Sequence, residues 1–288
     1  MGEVATEGLR RIEASLNYLA PTDERPVAYA YPPPPGVPWS TARDEAHTAP
    51  IYDVRPIARN ISLDEAGFQL VNHRSAVENF WDEEDLKRVY YPESAELLKR
   101  VTGATRVHIF DHTLRRRVPG VQDRAAGREV PRQPATRVHV DQTAISGVTR
   151  LQHAFPGEAD ELIRHRVAIV NVWRPIKSPV LDAPLAVCDA RSVASDDLVP
   201  SDLLYRDRRG ETYNVSYSPR HRWFYVPEMR ADEVLLLKCF DSHDDGAVAR
   251  FAPHTAFLDP TAPADAPPRE SIELRAYVFF GPQEATRH

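Results

Sequence analysis

From Val167 onward the chain is built almost wholly of short strand patterns, and this limits the possible fold more than any other feature of its 288 residues. Val167 to Trp173, Leu185 to Asp189, Thr212 to Tyr217, Arg222 to Val226, Val234 to Phe240 and Ile272 to Phe280 are rich in β-branched and aromatic residues with turn formers between them. Ahead of them the spacing is helical. Glu83 to Lys99 carries Leu86, Val89, Tyr90, Leu97 and Leu98 on one broad side, interrupted at Pro92 and stopped by Gly103. Ala144 to Arg166 reads as one or two helices broken at Pro156 and Gly157, and Arg106 to His112 alternates as a strand. Helices first and strands after predict an α+β, mainly β fold: a jelly-roll core of two sheets with helices packed on one face.

Proline marks the loops. The 26 prolines cluster at Pro32 to Pro38 and from Pro253 to Pro268, where the ring fixes φ and removes the donor a helix or central strand needs. The first cluster is a polyproline connector that sets a short N-terminal helix and strand apart from the next elements. The basic stretch from Arg115 to Arg132 reads as a solvated loop, with a lid over an active site as the alternative. Neither repeats nor a second-domain boundary appears. Residues 1–288 are expected to form one catalytic domain, an elaboration to about residue 104 and a β core from about 105.

Composition excludes several partners. A formal net charge of −6 argues against non-specific nucleic-acid binding, which needs a basic face to replace phosphate counterions. No window approaches the roughly 20 apolar residues of a membrane span, and Met1 to Ala20 lacks the apolar stretch of a signal peptide. Cys188 and Cys239, the two cysteines, lie in apolar runs and read as reduced core thiols. The cytoplasm is the expected compartment, with a small-molecule substrate; a homodimer or a partner biosynthetic enzyme stays open.

Chemistry enters at Thr136-Arg-Val-His-Val-Asp141. In a strand Val138 and Val140 face one way while Arg137, His139 and Asp141 face the other, so an imidazole and a carboxylate converge. Such a pair asks for a third ligand, because two histidines and one carboxylate leave open positions on Fe(II) for a co-substrate and O2. His-x-Asp occurs again at His243/Asp245, but in the polar turn Asp241-Ser-His-Asp-Asp-Gly246, which makes it the weaker candidate. His254, in Pro253-His-Thr-Ala-Phe257, is the candidate second histidine. Fifteen residues later comes Arg269-Glu-Ser271, a guanidinium beside a hydroxyl, suited to gripping the far carboxylate of 2-oxoglutarate. Arg275 shares that strand parity, and Lys238 is a cation inside an apolar strand; both are alternative anchors. Tyr90, Arg137, Trp173 and Tyr225 are candidate substrate contacts near the expected mouth, Arg137 through its parity with the metal pair.

The blocks Asn171-Val-Trp-Arg-Pro-Ile176, Pro184-Leu-Ala-Val-Cys-Asp-Ala190, Lys238-Cys-Phe-Asp-Ser242, His254-Thr-Ala-Phe257 and Pro267-Pro-Arg-Glu-Ser-Ile-Glu273 resemble the aspergillic-acid-type hydroxylase/desaturase family, which is related to the cephalosporin 7-methoxylation proteins. The resemblance extends upstream through Ala14-Ser-Leu-Asn-Tyr-Leu19, Tyr90-Tyr-Pro-Glu93 and Phe110-Asp-His-Thr113, covering about residues 14 to 280. It implies a double-stranded β-helix, cupin-like core. It also implies an Fe(II)/2-oxoglutarate-dependent dioxygenase of secondary metabolism, with O2 as oxidant and iron ligands at His139, Asp141 and His254. Hydroxylation, desaturation and oxidative cyclisation are all implied outcomes. Two rival functions are set beside this one. A methyltransferase would need a Gly-rich strand-to-helix turn that the 12 glycines do not supply. A non-catalytic accessory protein would have no chemical need for three ligands together with Arg-x-Ser.

Overall fold

The computed structural model describes residues 4–121 and 132–281. Its strands, in chain order, are β1 (Arg11–Leu19), β2 (Val27–Tyr29), β3 (Asp44–Asp53), β4 (Phe68–Asn72), β5 (Arg106–Arg116), β6 (His139–Val140), β7 (Val167–Pro175), β8 (Leu185–Cys188), β9 (Leu198–Leu204), β10 (Arg209–Val215), β11 (Trp223–Tyr225), β12 (Glu233–Asp241), β13 (His254–Ala256) and β14 (Glu270–Phe279). Among the described residues they form two sheets: a smaller one ordered β4-β12-β7-β14-β5, and a larger one ordered β1-β3-β11-β8-β13-β6-β10-β9-β2. This is the expected jelly-roll double sheet, mainly β with helices to one side.

The smaller sheet is antiparallel throughout. Its strands β7 and β12 are buried along their whole length, which is why they read as continuous apolar runs instead of alternating ones. Ala168, Val170 and Val172 of β7, with Leu274 and Ala276 of β14, face a helical layer. Ile169, Asn171 and Trp173, by alternation, face the interior between the sheets. There Trp173, Leu235 and Leu237 meet Leu185, Val187 and Phe224 of the larger sheet.

The helical layer comes from the segment with helical spacing. After the short α1 (Leu63–Ala66), α2 (Glu83–Asp85) runs through a π-helical turn, Leu86–Tyr90, into α3 (Tyr91–Thr102). The expected interruption at Pro92 is this turn. Proline lacks a donor and crowds the carbonyl four residues back, and the wider turn accommodates it while the helix continues. Gly103 then closes α3 in the left-handed conformation at φ 74°. Leu86, Tyr90, Leu97 and Leu98 cover the sheet, each buried side chain contributing about 1.5–3 kcal/mol.

The N-terminal helix is corrected. Arg11–Leu19 is a strand paired antiparallel with β3, burying Ile12, Ala14, Leu16 and Tyr18 while Arg11, Glu13 and Ser15 face out. That period of two is the signature of a half-buried strand. The larger sheet curls until β1 bridges back to Arg137 and Ser216, enclosing a second apolar cluster that includes Tyr18, Trp223 and Tyr225. α4 (Ala144–Ala154) and α5 (Ala159–Leu162) fill the expected helical region and close the other end. Gly147 of α4 lies so near the Phe240 ring that a Cβ would stand 2.4 Å from it, so only glycine fits. The suggested lid falls largely on residues 122–131, outside the described residues.

One polar cluster is built into this apolar frame. Lys238 Nζ donates to Asp241 Oδ2 at 2.8 Å and to Asp64 Oδ1 at 2.5 Å, and Arg166 donates to both carboxylates while its guanidinium lies 4.4 Å from the Phe280 ring centre. Two cations and two carboxylates balance, which offsets the cost of burying Asp241 completely. Lys238→Met is expected to lower the unfolding free energy by about 3 kcal/mol, the typical scale for breaking a buried pair, read from urea denaturation midpoints. Burial pushes the Asp64 carboxyl up, but hydrogen bonds from Arg166 and the Lys238 charge outweigh it and hold it down at about 2 against an ordinary 3.8. A lowered native value stabilises above the unfolded one, so this contribution is present above pH 3.8 and is lost as pH falls through about 2. Asp64→Asn is therefore expected to flatten the decline of stability between those pH values.

Candidate metal centre

His139 opens β6 and His254 opens β13, and the two strands pair at those residues, so the rings lie with centroids 4.4 Å apart. Asp141 follows one residue after β6, at a bend, with Oδ1 3.6 Å from His139 Nε2. One ligand atom from each of the three residues lies within 4.8 Å of the other two. The imidazoles are oriented by their own strands. His139 Nδ1 donates to the Arg137 carbonyl at 2.7 Å and His254 Nδ1 to the Ala252 carbonyl at 3.0 Å. A carbonyl only accepts, so each Nδ1 carries the proton and each Nε2 offers a lone pair to the shared space. His254 Nε2 is buried with no hydrogen-bond partner, a costly state for a polar atom unless something binds there.

Asp141 completes the set as an anion. Its Oδ2 accepts from Asn171 Nδ2 and from Arg275 Nε, each at 2.9 Å. Burial pushes this carboxyl up, but Arg275 and the two histidines outweigh it and hold it well below the usual range. Burial and the neighbouring His139 push the His254 imidazole down, favouring the neutral form that binds metals. Two imidazoles and one carboxylate, with Nε2 and Oδ1 facing one point, fit a divalent iron ion.

Cavities lie on two sides of the triad. The inner one, small, is lined by both histidines with Arg115, Trp173, Arg269 and Glu273. Arg269 is buried in its wall. Its Nη1 donates to the Ala183 carbonyl at 2.8 Å, its guanidinium lies 5.3 Å from the Trp173 ring centre, and its Nε has no partner. Burial and the Arg115 charge push it down to about 9, a cation short of compensating anions. Ser271 lies two residues along, on the same inward face of β14 as Glu273. The outer cavity is a cleft beside Asp141, between α4 and the turn joining β9 to β10, lined by Ile145, Thr149, Arg150, Leu203, Tyr205 and Arg208 among others. Ile145 leaves 70% of its surface to water there.

The other candidates are dispersed. Lys238 is committed to Asp64 and Asp241, and Arg275 to Asp141, Glu273 and Asp111, which leaves Arg269, of the three candidate anchors, as the one lining the inner cavity, together with Arg115. Trp173 stands in that cavity and not at a mouth. Tyr90 is fully buried on the helical side of the smaller sheet, edge-on to Phe80, with the sheet between it and the triad. Tyr225 packs on Phe257 inside the curl of the larger sheet, because alternation in β11 turns Phe224 inward instead. Arg137 shares strand parity with the metal pair, but its side chain is held by Asp44 and the Ala42 carbonyl. His243 and Asp245 lie in an irregular segment, Asp245 exposed. Sequence reasoning passed over Asn171, Glu273 and Asp111 as site residues; the first two gave a signal, as polar residues inside otherwise apolar strands.

A family model described as "Oxidoreductase/YMDC permease-like domain" matches residues 16–279. The chain is 38% identical to a hydroxylase/desaturase of Hormonema carpetanum, over 85% of this chain and 88% of that one. It is 39% identical to a hydroxylase/desaturase of Cercospora beticola, over 84% and 79%. Among solved structures, the iron and alpha-ketoglutarate-dependent endoperoxidase NvfI superimposes with a TM-score of 0.84 at 31% identity, covering 94% of this chain and 99% of that chain.

Removing a ligand is expected to act on metal uptake before it acts on folding. His139→Ala and His254→Ala should each weaken Fe(II) binding to the apoprotein more than about 100-fold, beyond the 10–100-fold range for partners of ligands, whereas His243→Ala should leave it unchanged. Anaerobic titration followed by calorimetry gives the three constants. An effect at His243 with none at His254 would move the distal ligand.

Proposed function

The chain belongs to the Fe(II)/2-oxoglutarate-dependent hydroxylase/desaturase family of secondary metabolism, and from that premise we propose that His139, Asp141 and His254 hold its iron while Arg269 and Ser271 hold 2-oxoglutarate. The protein is an oxygenase of small natural products, acting by hydroxylation, desaturation or oxidative cyclisation. The observation that carries the site assignment is the partnerless, buried Nε2 of His254, facing His139 and Asp141. Bound Fe(II), with 2-oxoglutarate and O2, supplies an oxidant strong enough to abstract hydrogen, with succinate and CO2 as co-products.

The residues supply position and charge. Arg269, in the wall of the inner cavity, neutralises the far carboxylate of the co-substrate, and an anion there also offsets the burial that depresses this guanidinium. Trp173 supports the guanidinium through a cation–π contact. The inner cavity is too narrow and too deeply placed for a natural product, so substrate enters the cleft on the Asp141 side, where Ile145, Leu203 and Tyr205 offer apolar contact. Carriage of substrate contacts thus falls on α4 and the β9–β10 turn. The whole chain acts as one catalytic domain, in a compartment such as the cytoplasm that provides iron and 2-oxoglutarate; none of its described helices is long and apolar enough to cross a membrane.

The anaerobic apoprotein, given Fe(II) and then 2-oxoglutarate, is expected to develop the weak visible charge-transfer band of a chelated keto acid. A folded protein that binds neither would return the accessory role to first place. Arg269→Leu should raise the 2-oxoglutarate concentration needed for half the band by about 100-fold, the scale of a lost charged hydrogen bond at roughly 1.5–3 kcal/mol, with Fe(II) affinity kept. An unchanged requirement would place the anchor elsewhere.

A further inference from the structure

Arg275 sits where three strands meet the triad. In the register of the smaller sheet it pairs with Asn171 of β7 on one side and with Asp111 of β5 on the other. Strand parity places Glu273 beside it on the inward face, opposite Ile272 and Leu274, which pack on the helices. The guanidinium uses all three nitrogens: Nε donates to Asp141 Oδ2 at 2.9 Å, Nη2 to Glu273 Oε2 at 2.8 Å, and Nη1 to Asp111 Oδ1 and Thr113 Oγ1, each at 3.1 Å. Asn171 Nδ2 bridges the same two acids, reaching Asp141 Oδ2 at 2.9 Å and Glu273 Oε1 at 3.1 Å. Asp141 Oδ2 therefore carries two donors, and Oδ1 alone is turned to the histidines.

We propose that Arg275 is a positioning residue that restricts Asp141 to one-oxygen coordination of the iron. This rests on the iron triad proposed above. Its consequence is arithmetic on six octahedral positions: two imidazoles and one carboxylate oxygen take three, a chelating 2-oxo acid takes two, and one is left for O2. A carboxylate free to bind through both oxygens would take that last position or displace the co-substrate. The fork of Arg275 prevents this because rotating Asp141 would strip Oδ2 of two hydrogen bonds in a buried site. The clamp also reaches the cleft, since Asp111 Oδ2 accepts from Arg150, a residue of the cleft wall, at 3.2 Å.

The test uses Co(II) as the probe, because its visible bands weaken as coordination rises from five to six ligands. Wild-type apoprotein and Arg275→Lys are titrated with Co(II), then with 2-oxoglutarate. Lysine keeps the charge, but its three donors sit on one nitrogen and cannot span the partners that the three nitrogens of Arg275 reach. The expected result for Arg275→Lys is a Co(II) band weaker than the wild type's, because the second oxygen of Asp141 would join the metal and raise its coordination, while the apoprotein's thermal midpoint stays near the wild-type value. A Glu273→Gln/Arg275→Gln double variant, which keeps local charge balance, serves if the single variant fails to fold, and the same weakening is expected in it. A wild-type spectrum in a folded variant would overturn the proposal. Absence of Co(II) binding by the wild type is a distinct result: it would remove the triad itself and the proposal with it.

Discussion

Everything chemical in this protein depends on one backbone register, the antiparallel contact that sets His139 of β6 opposite His254 of β13. These residues are far apart in the chain, and neither strand exceeds three residues, so the pairing is not stable alone. It is held because β6 is flanked by β10 and β13 by β8, in a sheet whose inner face packs on Trp173, Leu235 and Leu237. A slip of one residue would turn one imidazole to the opposite face of the sheet. The apolar packing between the sheets is in this sense part of the metal centre, and Asp141, on a bend after β6, is brought in by hydrogen bonds from the opposite sheet.

That division explains what the sequence disclosed. His139 and Asp141 are neighbours at i and i+2, so local geometry was enough to join them. β7 and β12 were visible as largely apolar runs because both their faces are covered, and β14 as a long terminal strand pattern with polar residues on its inward face. The choice among Arg269, Arg275 and Lys238 was not visible, since parity tells which face a cation takes but not which carboxylate stands across the sheet. Tyr90 and Tyr225 were placed near the mouth on chemical type alone; their true surroundings depend on which layer covers each strand face. The strand at Arg11–Leu19 was legible in its period-two alternation, and of the helix and strand expected ahead of the first proline cluster only strands are present among the described residues. The cleft residues, from α4 and a hairpin turn, carry no pattern that separates them from ordinary surface.

The centre has two sides of different character. The inner side is narrow, with two arginines and one carboxylate in its lining. The cleft side is wider, mixed in polarity and built from a helix and a turn. The similar proteins carry hydroxylase/desaturase and endoperoxidase names, each alike to this chain over most of its length. On the reading proposed above, placement of the substrate in the cleft decides which bond receives the oxidant.

The contact between Gly147 and the Phe240 ring fixes one face of α4, and Leu151, one turn on, fixes the same face. Ile145, Thr149 and Arg150 point from the helix toward the cleft. Exposed positions of this kind tolerate exchange at little cost to stability. Such a helix is like a keyboard bolted to a rigid frame: its docked face is fixed by packing, while the residues on its free face can be exchanged one at a time without disturbing the fold.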